Sequence, residues 1–382
     1  MTAFVFWCSI ALVLYAYLGY PCALLPLAAV RDRRVRKEPV TPSVTFVVTA
    51  HNEAARIAEK IENTLAQDYP ARKLEIIVAS DCSTDETDEI VASYSHRVRL
   101  IRAHERRGKE AAQRLAIESS SGDILIFSDV ATALAADGVS TIVRNFADPT
   151  VGCVSSVDRF VDADGRISGE GAYVRYEMFL RAIETRVNSL VGLSGSFFAA
   201  RREVCRAWAI NQPSDFGTLL TAVEMGMRGV LDRESAGYYR NIADERREFQ
   251  RKVRTVVRGL GALASNVRMM NPARYGLFAW QLASHKLCRW LVPWAMTSAL
   301  LSNVPLAVHS DFYRFVLLAQ LAFYAAAVGG LLTGLTLLRL PSFLLVANLA
   351  VAVAWVRVAR GERIVTWSPS DRTVALPRVS LR

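Results

Sequence analysis

The stretch G-D-I-L-I-F-S-D-V-A-T, Gly122 to Thr132, decides how the chain folds. Its four consecutive apolar residues, Ile124 to Phe127, are bounded by Gly-Asp before and Ser-Asp after. An apolar run of that length between turn signals predicts a strand buried on both faces, as in a parallel sheet. The run ends in Asp129, and open α/β sheets bind their ligands beyond the carboxyl ends of such strands. A carboxylate at that point suits a cation held against phosphate. A helix cap is the plainer alternative.

Upstream, the same grammar repeats. V-T-F-V-V-T (Val44 to Thr49) predicts a strand, followed by His51-Asn52-Glu53 and a helical stretch to about Gln67. K-L-E-I-I-V-A (Lys73 to Ala79) predicts the next strand, closing on S-D-C-S-T-D (Ser80 to Asp85). A helix over Thr87 to Ser95, a strand over Val98 to Ile101 and a helix opening at Gly108-Lys109 complete the series. Strands alternating with helices at this spacing indicate βαβ units and a mainly parallel sheet. Glu53, Asp81, Lys109 and Asp129 then fall on successive βα connections, where they would converge on one crevice. Downstream the pattern is mixed. We expect a strand over Val151 to Val157, a helix over Glu170 to Leu190 and a glycine-containing turn from Gly192 leading into a strand. A helix from Ser214 to Met227 and a basic helix from Arg246 to Leu260 complete the domain.

Of the 382 residues, 52% are hydrophobic, and the excess gathers at the N-terminus and in the last hundred or so residues. Phe4 to Val30 is long enough to span a bilayer. No basic side chain precedes it, which disfavours a signal peptide. The run Arg31 to Lys37 follows it, so the positive-inside rule places the next domain in the cytoplasm. Leu291 to Val308 and Phe315 to Leu338 are also of spanning length. Ser342 to Val356, about fifteen residues, reads as a short re-entrant or interfacial segment. The expected organisation is an anchor (1–30), an α/β domain (40–275), an interfacial helix with spans (276–358) and a basic tail (359–382) taken as cytoplasmic. The net charge of +10 lies beside these apolar segments, which fits anionic lipid rather than nucleic acid. The six cysteines form no C-x-x-C pair, so neither a zinc site nor a disulfide framework is expected.

The chain resembles membrane-bound family 2 glycosyltransferases with the GT-A nucleotide-sugar fold, of the exopolysaccharide-synthase type. The residues that carry the resemblance are V-T-F-V-V-T-A-H-N-E (Val44 to Glu53), A-S-D-C-S-T-D-E-T (Ala79 to Thr87) and R-G-K-E-A-A-Q (Arg107 to Gln113). They continue through Gly122 to Thr132, G-E-G-A-Y-V-R-Y-E-M-F-L (Gly169 to Leu180), V-G-L-S-G-S-F-F-A-A-R-R (Val191 to Arg202) and P-S-D-F (Pro213 to Phe216).

That resemblance implies an inverting, metal-dependent transfer of a sugar from a nucleoside-diphosphate donor, UDP-sugar foremost, to a lipid-linked or growing glycan. It implies a bacterial inner-membrane setting, membrane lipids as partners and other polysaccharide-assembly proteins nearby. Ala50, Asn52 and Glu53 would line the base pocket, Asp81 would contact uracil or ribose, and Lys109 would sit near the diphosphate. Asp129 would hold Mg²⁺ or Mn²⁺, and Asp215 would act as the base. Ser194, Gly195 and Ser196 would border the acceptor. Arg251 and Arg254, after Gln250, stand where a Q-x-x-R-W element is expected and could clamp the diphosphate; a basic face at an anionic membrane is their simpler reading. Several positions depart from the family pattern. Ser80-Asp81-Cys82-Ser83 replaces D-D-G-S, Ala131 removes the second acid of D-x-D, and the tryptophan is absent, which argues against processive synthesis. A catalytically silent membrane subunit of a polysaccharide assembly is the competing reading.

Overall fold

The structure is a computed structural model and describes residues 1–161, 172–240, 245–362 and 364. It divides into two compact units, one joining Met1–Pro26 to the C-terminal helices, the other beginning at Leu27 and carrying the α/β domain.

In the α/β unit the first four strands are β1 (Val44–Ala50), β2 (Leu74–Ser80), β3 (Arg99–Arg102) and β4 (Ile124–Asp129). They are followed by β5 (Ala133–Leu134), β6 (Val151–Val161), β7 (Phe197–Arg201) and β8 (Arg228–Arg240). They form one sheet in the order β3-β2-β1-β4-β7-β6-β8-β5. The half from β3 to β4 is parallel throughout, as the apolar runs predict. Beyond β4 the sheet is mixed, because β7 runs antiparallel to both β4 and β6 while β6 and β8 are parallel. The register decides where the loops open. Ala50 pairs with Ser80, and Thr49 with Asp129, so the connections after β1, β2 and β4 share one edge.

Successive residues of β1 point to opposite faces, and both faces are covered. Val44, Phe46 and Val48 join Ile57 and Ile61 of the Ile57–Leu65 helix on one side. On the other, Val47 joins Leu125, Phe127 and, from the Lys109–Ser119 helix, Ala112 and Ala116. Gly122 enters β4 so close to β1 that a Cβ on it would fall 2.3 Å from the Thr45 backbone nitrogen. No other residue fits there.

The basic run after the first helix is partly engaged inside this unit rather than on lipid. Lys37 Nζ donates to the fully buried Asp232 at 2.8 Å. The Arg33 guanidinium donates to Asn188 Oδ1 at 3.1 Å, and Arg186 and Arg34 both pair with Asp32. Burial by itself would raise the Asp232 carboxyl, but Lys37 and Asn145 hold it below the usual range.

Among the described residues, four helices are long and apolar enough to cross a membrane: Thr2–Arg31, Leu277–His309, Asp311–Thr333 and Thr336–Ala359. The last corrects the expectation of a fifteen-residue segment over Ser342 to Val356. Pro341 does not start the apolar stretch; it sits in the first turn of the helix Arg339–Ala359, where a missing N–H costs no helical bond. The expectation for the tail beyond 364 lies outside the described residues.

Candidate active site

The connection after β1 is built by hydrogen bonds to its neighbour after β2. Ala50, the buried end of β1, accepts from the Asp81 N–H at 2.9 Å. His51 Nδ1 lies 2.7 Å from the Asp81 carbonyl. Asn52 takes a left-handed φ of +53°, which asparagine tolerates, and its Oδ1 accepts from the Thr84 N–H at 2.8 Å. Glu53 is buried against Arg56 at 2.5 Å. Burial pushes its carboxyl up, and the Arg56 guanidinium partly offsets this.

Asp81 is fully buried and faces inward. Its carboxylate accepts from the backbone N–H of Arg107 at 3.0 Å and of Gly108 at 3.0 and 3.1 Å. Gly108 has φ +97°, open to glycine, and stands just before the Lys109–Ser119 helix. In this structure Asp81 therefore fastens one loop to another. Cys82, at the position where the resemblance leads one to expect glycine, takes a left-handed φ of +55°.

Asp129 is disposed differently. Its side chain is 26% exposed, and Lys109 Nζ meets Oδ1 at 2.5 Å while also donating to the Gly195 carbonyl at 2.9 Å. The Asp129 N–H donates to Ser196 O at 3.0 Å. No helix starts here. The chain turns, with the Thr132 N–H on Asp129 O at 3.1 Å, and enters β5, so Asp129 is not a helix cap.

The third side of the site is the Ser194-Gly195-Ser196 turn before β7. Ser194 and Ser196 hydroxyls both donate to Asp158 Oδ1, at 2.6 and 2.5 Å. Asp215 lies in the first turn of the Ser214–Glu224 helix, and a Cβ on Gly195 would sit 3.5 Å from its Oδ2. Behind the turn, Arg181 donates to Ser155 Oγ at 2.6 Å and Gly192 O at 3.1 Å. Burial lowers the Arg181 pKa, opposed by nearby carboxylates including Asp158 and Asp215. Gly195 thus has the Lys109–Asp129 pair on its carbonyl and Asp215 over its Cα.

Ala50, Asn52, Glu53, Asp81, Lys109, Asp129, Asp215 and the 194–196 turn all belong to this unit. Arg251 and Arg254 belong to the other, on the helix Glu245–Ser265. There Arg251 pairs with Glu248 at 2.7 Å, and burial with the like charges of Arg258 and Arg251 lowers the Arg254 pKa. Sequence reasoning missed Asp158, Arg181 and Lys60. The last is a fully buried lysine whose Nζ donates to Ser128 Oγ at 2.8 Å and Thr132 O at 2.6 Å. Burial drives its pKa down to about 7, opposed by Asp129.

No group of three or more His, Cys, Asp or Glu able to hold a metal lies among the described residues. A preformed metal cage is therefore not what this donor set makes. One carboxylate on an accessible turn does suit Mg²⁺-type chemistry, in which the cation takes one or two carboxylates and completes its shell with phosphate oxygens and water.

The half-parallel, half-mixed sheet defines a GT-A-like fold. A mannosyltransferase from Pyrobaculum calidifontis, solved in complex with GDP-Man and Mn²⁺, shares it with a TM-score of 0.75 at 23% identity, covering 95% of this chain and 100% of that one. Residues 45–208 match the sequence profile of Glycosyl transferase family 2. An N-acetylglucosaminyltransferase of Bradyrhizobium elkanii is 39% identical over 119 residues, 30% of this chain and 64% of that protein. The succinoglycan biosynthesis protein ExoO of Rhizobium meliloti is 35% identical over 128 residues, 33% of this chain and 36% of that protein. Poly-beta-1,6-N-acetyl-D-glucosamine synthase of Staphylococcus aureus is 29% identical over 161 residues, 40% of this chain and 38% of that protein. The matched stretches thus span between 36% and 64% of these curated relatives.

Proposed function

We propose that the protein is an inverting glycosyltransferase. It moves a sugar from a nucleoside-diphosphate donor to a lipid-linked or growing glycan in exopolysaccharide or cell-envelope polysaccharide synthesis. UDP-sugars are the first donors to test and GDP-sugars the second, since the Pyrobaculum relative in fold was solved with GDP-Man. The setting is a bacterial inner membrane, with the α/β unit on the cytoplasmic side and other polysaccharide-assembly proteins as its partners.

The observation that carries this reading is the convergence on Gly195 of the Lys109–Asp129 pair and Asp215. Transfer needs those two poles. At one, Asp129 would hold Mg²⁺ or Mn²⁺, which supplies Lewis-acid stabilisation to the departing diphosphate. Lys109, bonded to that carboxylate, adds a second positive charge beside the same oxygens. At the other pole, Asp215 accepts the proton of the acceptor hydroxyl as it attacks the anomeric carbon. A positioned base of this kind contributes on the order of 10²–10⁴ in rate. Ala50, Asn52 and Glu53 border the nucleotide, and Asp81 holds their loop in place. Ser194, Gly195 and Ser196 form the acceptor-side wall.

The test is metal-dependent release of nucleoside diphosphate from UDP- and GDP-sugars by the purified chain, beside Asp215→Asn. Turnover in the wild type with a loss of about 10²–10⁴ in the variant is expected. No turnover with any donor would favour a silent assembly subunit; an unaffected Asp215→Asn would remove the base.

A further inference from the structure

The turn that carries Asp129 is gripped from behind by one helix face. Lys60 and Asn63 on the Ile57–Leu65 helix and Gln67 just after it follow i, i+3, i+7 spacing, which puts them on one side. Each bonds a successive part of the segment 128–139. Lys60 Nζ reaches Ser128 Oγ and Thr132 O, one on each side of Asp129. Asn63 Nδ2 donates to Leu134 O at 2.9 Å, and the Leu134 N–H returns to Asn63 Oδ1 at 2.9 Å. A neighbouring strand would give Leu134 just such a pair, and β5 bonds only β8 within the sheet. Gln67 Nε2 donates to Ala135 O at 2.9 Å, and the Val139 N–H donates to Gln67 Oε1 at 3.1 Å.

Packing alone does not account for Lys60. Burial strips the Lys60 amine of its hydration, and both its hydrogen bonds go to neutral oxygens. Its methylenes and the Phe46 ring, 5.3 Å from Nζ, would accommodate methionine without that penalty. What methionine could not do is tie the two arms of the turn to one point. That tie matters because Ala131 leaves Asp129 as the only acid between Ser128 and Thr132. A single-carboxylate anchor has no second ligand on its own loop to fix its direction, so its backbone must be fixed instead.

We infer that Lys60, Asn63 and Gln67 form a positioning stripe that sets the metal-binding turn, with Lys60 as its principal member. The inference rests on the reading that Asp129 takes the metal. The experiment uses the full chain in detergent, comparing wild type with Lys60→Met and Ser128→Ala. It reads hydrogen exchange across 128–139, thermal stability, and calorimetric binding of Mn²⁺ with UDP or GDP. Lys60→Met is expected to keep or raise the melting temperature, speed exchange across 128–139, and weaken metal–nucleotide binding by about 10–100-fold, as lost outer-shell partners do. Ser128→Ala should speed that exchange and weaken that binding to a smaller degree, at a somewhat lower melting temperature because buried Lys60 loses one of its two acceptors. It carries the test if Lys60→Met does not fold. A folded variant with wild-type exchange and wild-type binding overturns the inference, as does a variant that only lowers the melting temperature. If wild type itself binds no metal–nucleotide, the proposed function fails, while exchange across 128–139 still decides the stripe.

Discussion

Asp81 and Asp129 stand at the same edge of the sheet, each where a strand buried on both faces gives way to a loop. Their carboxylates have opposite surroundings. Asp81 is fully buried and its oxygens accept from two backbone N–H groups of the next loop. Asp129 is partly exposed, and its side chain meets the buried Lys109, which also donates to the Gly195 carbonyl. The strand end supplies the location of an acid, while the partners of its oxygens supply the role. Saturated by fixed amides, a carboxylate is a fastener; partly exposed and paired with one side chain, it can take a metal.

The comparison breaks most visibly at Asp129. Asp129→Ala should reduce metal-dependent transfer by about 10³-fold or more, since metal polarisation of a phosphoryl oxygen contributes several kcal/mol. Thermal stability should fall as well, because Lys109 is buried and keeps only the Gly195 carbonyl as acceptor. Asp81→Ala should act mainly on stability. It strands the Arg107 and Gly108 N–H groups, at a stability cost of about 1–3 kcal/mol. That corresponds to roughly 2–4 °C in the melting temperature per kcal/mol for a domain of this size. Transfer by the folded fraction should change far less than in Asp129→Ala. Equal losses of transfer at equal stability would erase the distinction.

A smaller effect concerns Lys60, which lies behind the Asp129 turn. Its pKa falls from 10.5 to about 7 on folding, chiefly by burial. Between those limits the unfolded chain binds the proton and the folded one does not, so stability rises with pH across that window. The slope is at most about 1.4 kcal/mol per pH unit. Lys60→Met should remove this rise, measured as the change in melting temperature between pH 7 and pH 9 for variant and wild type. A variant that keeps the wild-type slope would assign it to other groups.

The parallel half of the sheet was legible because its strands are buried on both faces and read as unbroken apolar runs. β8 was not. Its residues R-G-V-L-D-R-E-S-A-G-Y-Y-R include a fully buried Asp232 that, besides the local Glu234 N–H and Ser235 hydroxyl, is met by Lys37 and Asn145 from far away in sequence. Charge met by distant partners hides a strand from any local pattern. The candidate site shows the same division. Acids after apolar runs announce themselves, so Asp81 and Asp129 were found, and Asp215 stood out at the start of a helix. Lys60 looks like a solvated lysine on an amphipathic helix until the segment 128–139 is laid against it; its spacing with Asn63 and Gln67 was the one available signal. Asp158 and Arg181 carry no such signal, since their partners come from the Ser194-Gly195-Ser196 turn and from Ser155 and Gly192.

The central claim is that Asp129 alone anchors a cation between protein and nucleotide. Calorimetric titration of UDP and of GDP into the full chain, with and without Mn²⁺, tests it directly against Asp129→Asn and Asp81→Asn. We expect wild type and Asp81→Asn to bind at least one nucleotide more tightly with Mn²⁺ than without, and Asp129→Asn to lose that difference. Mn²⁺-enhanced binding that survives in Asp129→Asn would contradict the account.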